Sequence, residues 1–336
     1  MITCSPPRLE TEAWQRELAA AVTDPAELLR LLALDPAQMP QVQMGATDFP
    51  LRVPRYFVDL MRPGDPDDPL LAQVLPLAEE REVVSGYRDD PVDDMAASCD
   101  HGVLKKYHGR ALLIATGACA VHCRYCFRRH FPYSEESVLR HWQRALETLR
   151  ELPDTNELIL SGGDPLSLSD TRLGQLIDEA QELPQLQRLR IHTRLPIVLP
   201  QRITDRLVQL LSDSRLQTIL VVHANHPREV TRELGDALHK LASGGIILLN
   251  QSVLLKSIND DADTLATLSD TLLGIGVMPY YLHLLDPVAG AARFEVPLAQ
   301  ARRLLEELRR RLPGYLVPRM VRELPGEPYK TPVSDL

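Results

Sequence analysis

Three cysteines fall in the run Cys119-Ala-Val-His-Cys123-Arg-Tyr-Cys126, a C-x₃-C-x₂-C spacing. Thiolates this close on one loop can each ligate a different iron of a [4Fe–4S] cube, which leaves the fourth iron without a protein ligand and open to chemistry. Structural zinc is the competing reading, because zinc sites are usually four-coordinate and built from paired C-x₂-C knuckles. Only Cys4 and Cys99 remain, and neither belongs to a second knuckle, although His122 or His130 could offer a fourth ligand. Two other segments hold chemistry-bearing residues. Ser161-Gly162-Gly163-Asp164-Pro165 ends a β-rich run where glycines let a ligand approach the backbone, or simply make a turn. Lys330 stands alone in a Gly- and Pro-rich stretch, where a lysine by itself reads as a solvated surface residue.

Elements must bring these residues together. From Leu112 onward, short β-rich runs alternate with helical patterns, the signature of βαβ units and a parallel sheet. The expected strands are Leu112–Thr116, Glu157–Ser161, Arg188–Thr193, Thr218–His223, Ile246–Ser252 and Met278–Leu284. Leucines at helical spacing place helices near Ser137–Leu152, Asp170–Glu182, Thr204–Ser212, Arg228–Leu241, Asp261–Leu273 and Pro297–Leu312. Six right-handed units imply an α/β fold, an incomplete (β/α)₆ barrel whose cleft opens at the C-terminal strand ends. The cysteine loop directly follows the first strand, at that face. Residues 1–104 read as a helical N-terminal region with helices at Glu10–Ala21 and Pro25–Leu34, residues 105–314 as the barrel, and 315–336 as a segment carrying Lys330.

The 336 residues carry a net charge of −9 spread over short mixed runs, without the basic footprint that nucleic acid or an anionic membrane would require. Arg309-Arg310-Arg311 reads as the solvated face of an amphipathic helix. No secretory signal and no apolar stretch of ~18 residues is evident. Five cysteines, an odd number, suit a reducing cytoplasm; Cys4 and Cys99 read as spectators.

The cysteine run resembles that of the radical S-adenosylmethionine (SAM) superfamily. The resemblance implies that SAM chelates the open iron through its amino and carboxylate groups, and that one-electron reduction cleaves it to a 5′-deoxyadenosyl radical. In that context the Ser161–Pro165 segment resembles the glycine motif that holds the methionine amino group. Further segments narrow the match: Lys106-Tyr107-His108-Gly109-Arg110, Cys126-Phe127-Arg128-Arg129, Ile191-His192-Thr193-Arg194, His223-Ala224-Asn225-His226-Pro227, Asn250-Gln251-Ser252-Val253-Leu254-Leu255 and Glu323-Leu324-Pro325-Gly326-Glu327-Pro328-Tyr329-Lys330-Thr331-Pro332. From about Arg55 to Pro332 the chain resembles the lysine 2,3-aminomutases.

That resemblance implies a set of roles. Pyridoxal 5′-phosphate (PLP) would form a Schiff base with Lys330, with Lys106, Tyr107 and Arg110 around it. Lys106 stands where better-known members carry arginine, which exchanges a bidentate phosphate contact for a point charge. SAM would be met by Tyr125, Ser161, Gly162, Gly163, Asp164, His223 and Gln251. Arg128 would pair with the substrate carboxylate, and Asp286 with Glu323 would receive the ε-ammonium of L-lysine. Moving an amino group from Cα to Cβ requires loss of a hydrogen from an unactivated carbon, a task for a carbon radical, while PLP supplies the imine across which nitrogen migrates.

Three departures point within the family. Glu323 replaces an aspartate usual in catabolic members, Asp261 falls near a position where they offer a zinc-binding cysteine, and the sequence runs only six residues past Lys330 with no cysteine beyond Cys126. These resemble the shorter branch that makes (R)-β-lysine, which a separate ligase attaches to elongation factor P. A catabolic enzyme making (S)-β-lysine is the close alternative. A radical SAM enzyme acting on protein or RNA, or a non-enzymatic iron–sulfur carrier, belongs to other classes. An electron donor such as flavodoxin or ferredoxin is implied, and self-association is left open.

Overall fold

The computed structural model describes residues 12–43, 49–99, 101–133 and 141–336. Cys4 and the beginnings of the expected helices Glu10–Ala21 and Ser137–Leu152 lie outside them. Among the described residues nine strands form a single sheet in chain order: β1 (Val103–Leu104), β2 (Arg110–Thr116), β3 (Glu157–Gly162), β4 (Arg188–Thr193), β5 (Gln217–Val222), β6 (Ile247–Val253), β7 (Met278–His283), β8 (Arg319–Arg322) and β9 (Thr331–Pro332). Neighbours from β2 through β8 run parallel, and β1 and β9 are antiparallel at the two edges. Among the described residues nothing pairs β1 with β9, so the barrel is partial. Each of the six expected strands is present within two residues; β1, β8 and β9 are additions. Residues 315–336, expected as a segment of their own, contribute β8 and β9 to the same sheet.

The strands turn a row of Leu, Ile and Val to the helices that cover one face of the sheet: Leu158, Leu160, Leu189, Ile191, Leu220 and Val222, alternate residues on three neighbouring strands, are fully buried. Side-chain caps set where the covering helices begin. The hydroxyls of Ser169, Thr204 and Thr231 accept from the backbone N–H three residues on, starting the helices Asp170–Gln181, Asp205–Ser212 and Arg232–Ser243. The helix expected from Arg228 therefore starts later, since Pro227–Glu229 form a separate 3₁₀ turn before the Thr231 cap. Asp261 caps the helix Ala262–Gly274 by accepting from Thr264 N–H at 2.8 Å.

The N-terminal region packs against the segments that follow β4 and β5. Trp14 is 2% exposed; its ring lies 4.4 Å from the Arg202 guanidinium and its Nε1 donates to Glu12 at 2.5 Å. Trp14→Ala is expected to lower stability by about 3–5 kcal/mol, as large aromatic truncations in cores do, read as a lower urea midpoint. The same region also grips the cysteine loop: His122 N donates to Arg52 O at 3.0 Å and Arg124 N to Gln73 O at 2.9 Å.

Candidate active site

Alternate residues of the strands face one interior: Ile159 and Ser161 from β3, Arg190 and His192 from β4, Gln251 and Val253 from β6, and Tyr281 and His283 from β7 all line one cavity of about 1190 Å³. The two-residue period of a strand produces this lining directly. The volume exceeds the ~300–1,000 Å³ usual for one small ligand, so there is room for two cofactors. All three cysteines of the run border it, as do Lys330, Asp286 and Glu323.

The cysteine loop is held from two sides. Arg124 Nε donates to Glu80 at 2.9 Å and Arg129 to the same carboxylate at 2.7 Å, while a terminal nitrogen of Arg124 donates to Phe49 O at 2.9 Å. Although burial alone would raise it, these two guanidinium groups hold the Glu80 carboxyl below its ordinary range. On the other side Arg194 donates to Cys123 Sγ at 2.9 Å. Burial pushes the Cys119 thiol far up and that of Cys126 up to about 11, because a buried thiolate needs a cation beside it. No group of three or more His, Cys, Asp or Glu among the described residues is placed to hold a single metal ion; the three thiols border the same cavity. The two histidines considered as extra ligands are engaged elsewhere: His122 Nδ1 meets Pro50 O at 2.8 Å and its ring stacks on Phe49, and His130 Nε2 meets Ala289 O at 3.2 Å.

The glycine pair after β3 proves to be tight against protein. A Cβ on Gly163 would stand 2.5 Å from Ala118 O, and one on Gly162, at φ 109°, 2.9 Å from Thr116 O. These glycines let the end of β3 pack directly against the backbone at the start of the cysteine loop. Asp164 fastens the same turn: one oxygen accepts from Thr193 Oγ1 at 2.7 Å, the other from the N–H of Arg194 and Leu195 at 2.8 and 2.9 Å. Its carboxylate thus ties β3 to β4. Ser161 Oγ accepts from Arg128 at 3.0 Å.

A ladder of alternating charges crosses the cavity. Lys330 Nζ donates to Glu323, whose other oxygen accepts from Lys106 at 2.9 Å. Lys106 also pairs with Asp94 at 2.6 Å, and Asp94 in turn with Arg128 Nε at 2.6 Å. Burial opposes ionisation of Glu323, but the ammonium groups of Lys330 and Lys106 overcome it and hold this carboxyl far below the carboxylate range. Arg110 lies over the Tyr107 ring at 5.1 Å, and burial followed by the Glu323 charge raises the Tyr107 phenol.

Asp286 is outside the ladder. Its Oδ1 is buried with no hydrogen-bond partner among the described residues, and burial, then the nearby Glu323 charge, pushes its carboxyl up to about 7. His223 Nε2 lies 3.2 Å from His192 Nδ1, and burial and Arg194 lower His223 to about 4. Tyr125 Oη accepts from Asn225 at 2.6 Å and from Arg194. The expected site residues therefore converge on one cavity. Sequence reasoning missed Glu80, Asp94, Gln73 and the buried His283, whose Nε2 also lacks a partner among the described residues; the alternation Tyr281/His283 on β7 was the available signal for the last.

Residues 113–264 match the Radical SAM superfamily, whose enzymes carry a [4Fe–4S] cluster and SAM. The chain is 50% identical over 325 residues to an L-lysine 2,3-aminomutase of Escherichia coli, covering 96% of this chain and 95% of that one. A Haemophilus influenzae protein of the same name is 46% identical over 96% of each chain, and one from Clostridium subterminale is 34% identical over 95% of this chain and 77% of its own. Among the described residues no helix is long and apolar enough to cross a membrane. Its cysteine loop, its partial barrel and these identities over nearly its full length place the chain in the L-lysine 2,3-aminomutase family of radical SAM enzymes, which are isomerases.

Proposed function

We propose that this chain moves the α-amino group of L-lysine to C3 with the help of a [4Fe–4S] cluster, SAM and PLP, and that its product is (R)-β-lysine destined for elongation factor P. Asp286 carries the substrate assignment. A buried carboxylate that no cation directly pairs is costly, and this one, whose Oδ1 has no hydrogen-bond partner among the described residues, shares a cavity with the three thiols and Lys330. The ε-ammonium of lysine would supply the missing charge; a glutamate side chain would add a second negative one.

The residues present fit the cofactors. Cys119, Cys123 and Cys126 would hold the cluster, Lys330 would bind PLP, and Lys106 and Arg110 would bring positive charge to its phosphate. When bound, SAM with the reduced cluster supplies a carbon radical able to take hydrogen from an unactivated carbon, and PLP an imine π system that nitrogen can cross. The remaining work is positional. Arg128, already oriented by Asp94 and Ser161, would hold the substrate carboxylate. Asp286 and Glu323 would hold the far end of the chain, Glu323 being released for this by departure of Lys330 toward PLP.

The stereochemical and biosynthetic part rests on Glu323 and Asp261, which depart from the catabolic pattern. A one-electron donor such as flavodoxin or ferredoxin, a cytoplasmic location and a ligase for elongation factor P belong to the same reading. Chiral analysis of the product formed from lysine, with SAM, PLP and dithionite, is expected to give (R)-β-lysine. The (S) isomer would overturn the elongation factor assignment, and a preference for glutamate would overturn the substrate.

Two results are expected at Asp286. Leaving a buried ion pair half-made costs ~3–5 kcal/mol, so Asp286→Ala is expected to lower kcat/KM for lysine by roughly 10²–10³-fold, solvent entry softening the loss. Because burial and the Glu323 charge hold this carboxyl up at about 7 and lysine binds only its ionised form well, KM for lysine is expected to fall as pH rises through that value. In Asp286→Asn the fall should vanish; its persistence would assign the titration to another group.

A further inference from the structure

We infer that Arg194 sets the reduction potential of the cluster by donating an N–H to the sulfur of Cys123. The inference rests on the reading that Cys123 is a cluster ligand. Its own observations are separate: Arg194 is 5% exposed, and one terminal nitrogen lies 2.9 Å from Cys123 Sγ. The other terminal nitrogen donates to Gln73 Oε1 at 2.7 Å and meets Glu229 at 3.3 Å. The backbone N–H of Arg194 is fixed on Asp164 at 2.8 Å. Side chain and main chain are therefore both pinned, and the fork is aimed at the thiol before any cluster arrives.

Hydrogen bonds to the sulfurs and nearby charge are main determinants of iron–sulfur potentials. Reduction adds one electron to the cluster, and a cationic donor on a ligand sulfur stabilises that added charge, so Arg194 raises the potential. The counter-charge of Glu229 is placed to interfere little. It sits on the far nitrogen of the fork, and its Oε1 also accepts from Gln73 Nε2 at 2.9 Å and from the N–H of Asn225 and His226 at 3.2 and 3.1 Å. Arg194 is thus a positioning residue that acts through Cys123 on how readily a donor can charge the cluster.

The test is a redox titration of the full chain, reconstituted anaerobically with iron and sulfide and followed by the electron paramagnetic resonance signal of the reduced cluster without SAM. Arg194→Gln alone would strand a buried carboxylate, so the informative variant is the double R194Q/E229Q, which removes a neutral pair and leaves hydrogen-bonding amides. Its reduced-to-oxidised ratio at a fixed poise is expected to fall about tenfold, or about 59 mV for one electron. R194K, which keeps the charge without the planar fork, is expected to fall less. Fully loaded variants that titrate with the wild-type protein would overturn the inference, as would loss of the cluster from both variants with the fold intact by circular dichroism, since Arg194 would then serve assembly. Failure of the wild-type chain itself to form a cluster overturns the ligand assignment beneath it instead.

Discussion

Cys123→Ala is expected to abolish reductive cleavage of SAM, because it would remove the only protein ligand of one iron. The thiol is packed against the core on one side and Arg194 on the other, so no neighbouring sulfur can substitute. Cys119→Ala and Cys126→Ala are expected to behave alike. The control is Cys99→Ala: this free thiol lies in the N-terminal region with Ala97 O at 4.0 Å and does not border the cavity. Iron content and 5′-deoxyadenosine formation under dithionite measure the effect. Cleavage at the normal rate by the Cys123→Ala protein would sink the cluster assignment.

Lys330→Ala is expected to eliminate β-lysine formation while leaving SAM cleavage in place, because the amine sits on the hairpin between β8 and β9 and the thiols on the loop after β2. Removing the ammonium has a second consequence. Glu323 loses one of its two cations, so the alanine protein should bind free lysine at least as readily as wild type. Borohydride reduction of the wild-type protein with PLP, followed by peptide mapping, should place the pyridoxyl group on Lys330. A pyridoxyl group on any other lysine would refute the assignment.

What the sequence displayed was whatever is encoded locally. Strands β2 to β7 were legible because each is a short run of β-forming residues, apolar throughout or alternating with polar ones, bounded by turn residues, and the cysteine loop because its spacing is contained in one stretch. β8 was not, since Arg319-Met-Val-Arg322 is too short and too charged to stand out, and it exists because β7 offers it an edge. The Thr331–Pro332 strand contains a proline, which is tolerated only because it lies at the rim. The polar supports were invisible for a different reason. Asp94 meets Arg128, Glu80 meets Arg129, and Gln73 meets Arg194 across separations of 34, 49 and 121 residues, and two polar partners far apart in a chain leave no period to read. Gly162 and Gly163 show the converse: the residues were noticed, but the atoms that require them to be glycine belong to the backbone of Thr116 and Ala118.

Because the spatial order of the nine strands is the order of the chain, no strand has to be threaded between two that are already paired. A chain emerging from the ribosome can therefore lay down this sheet one edge at a time, N-terminal strands first. The thiol loop is made after β2, yet Arg194 arrives only with β4 and Lys330 only beside β9, so the metal-binding half of the cavity takes shape before the half that holds the lysine. Assembly has a built-in direction, in which the iron site can be complete while the amine that would share its cavity is still being synthesised.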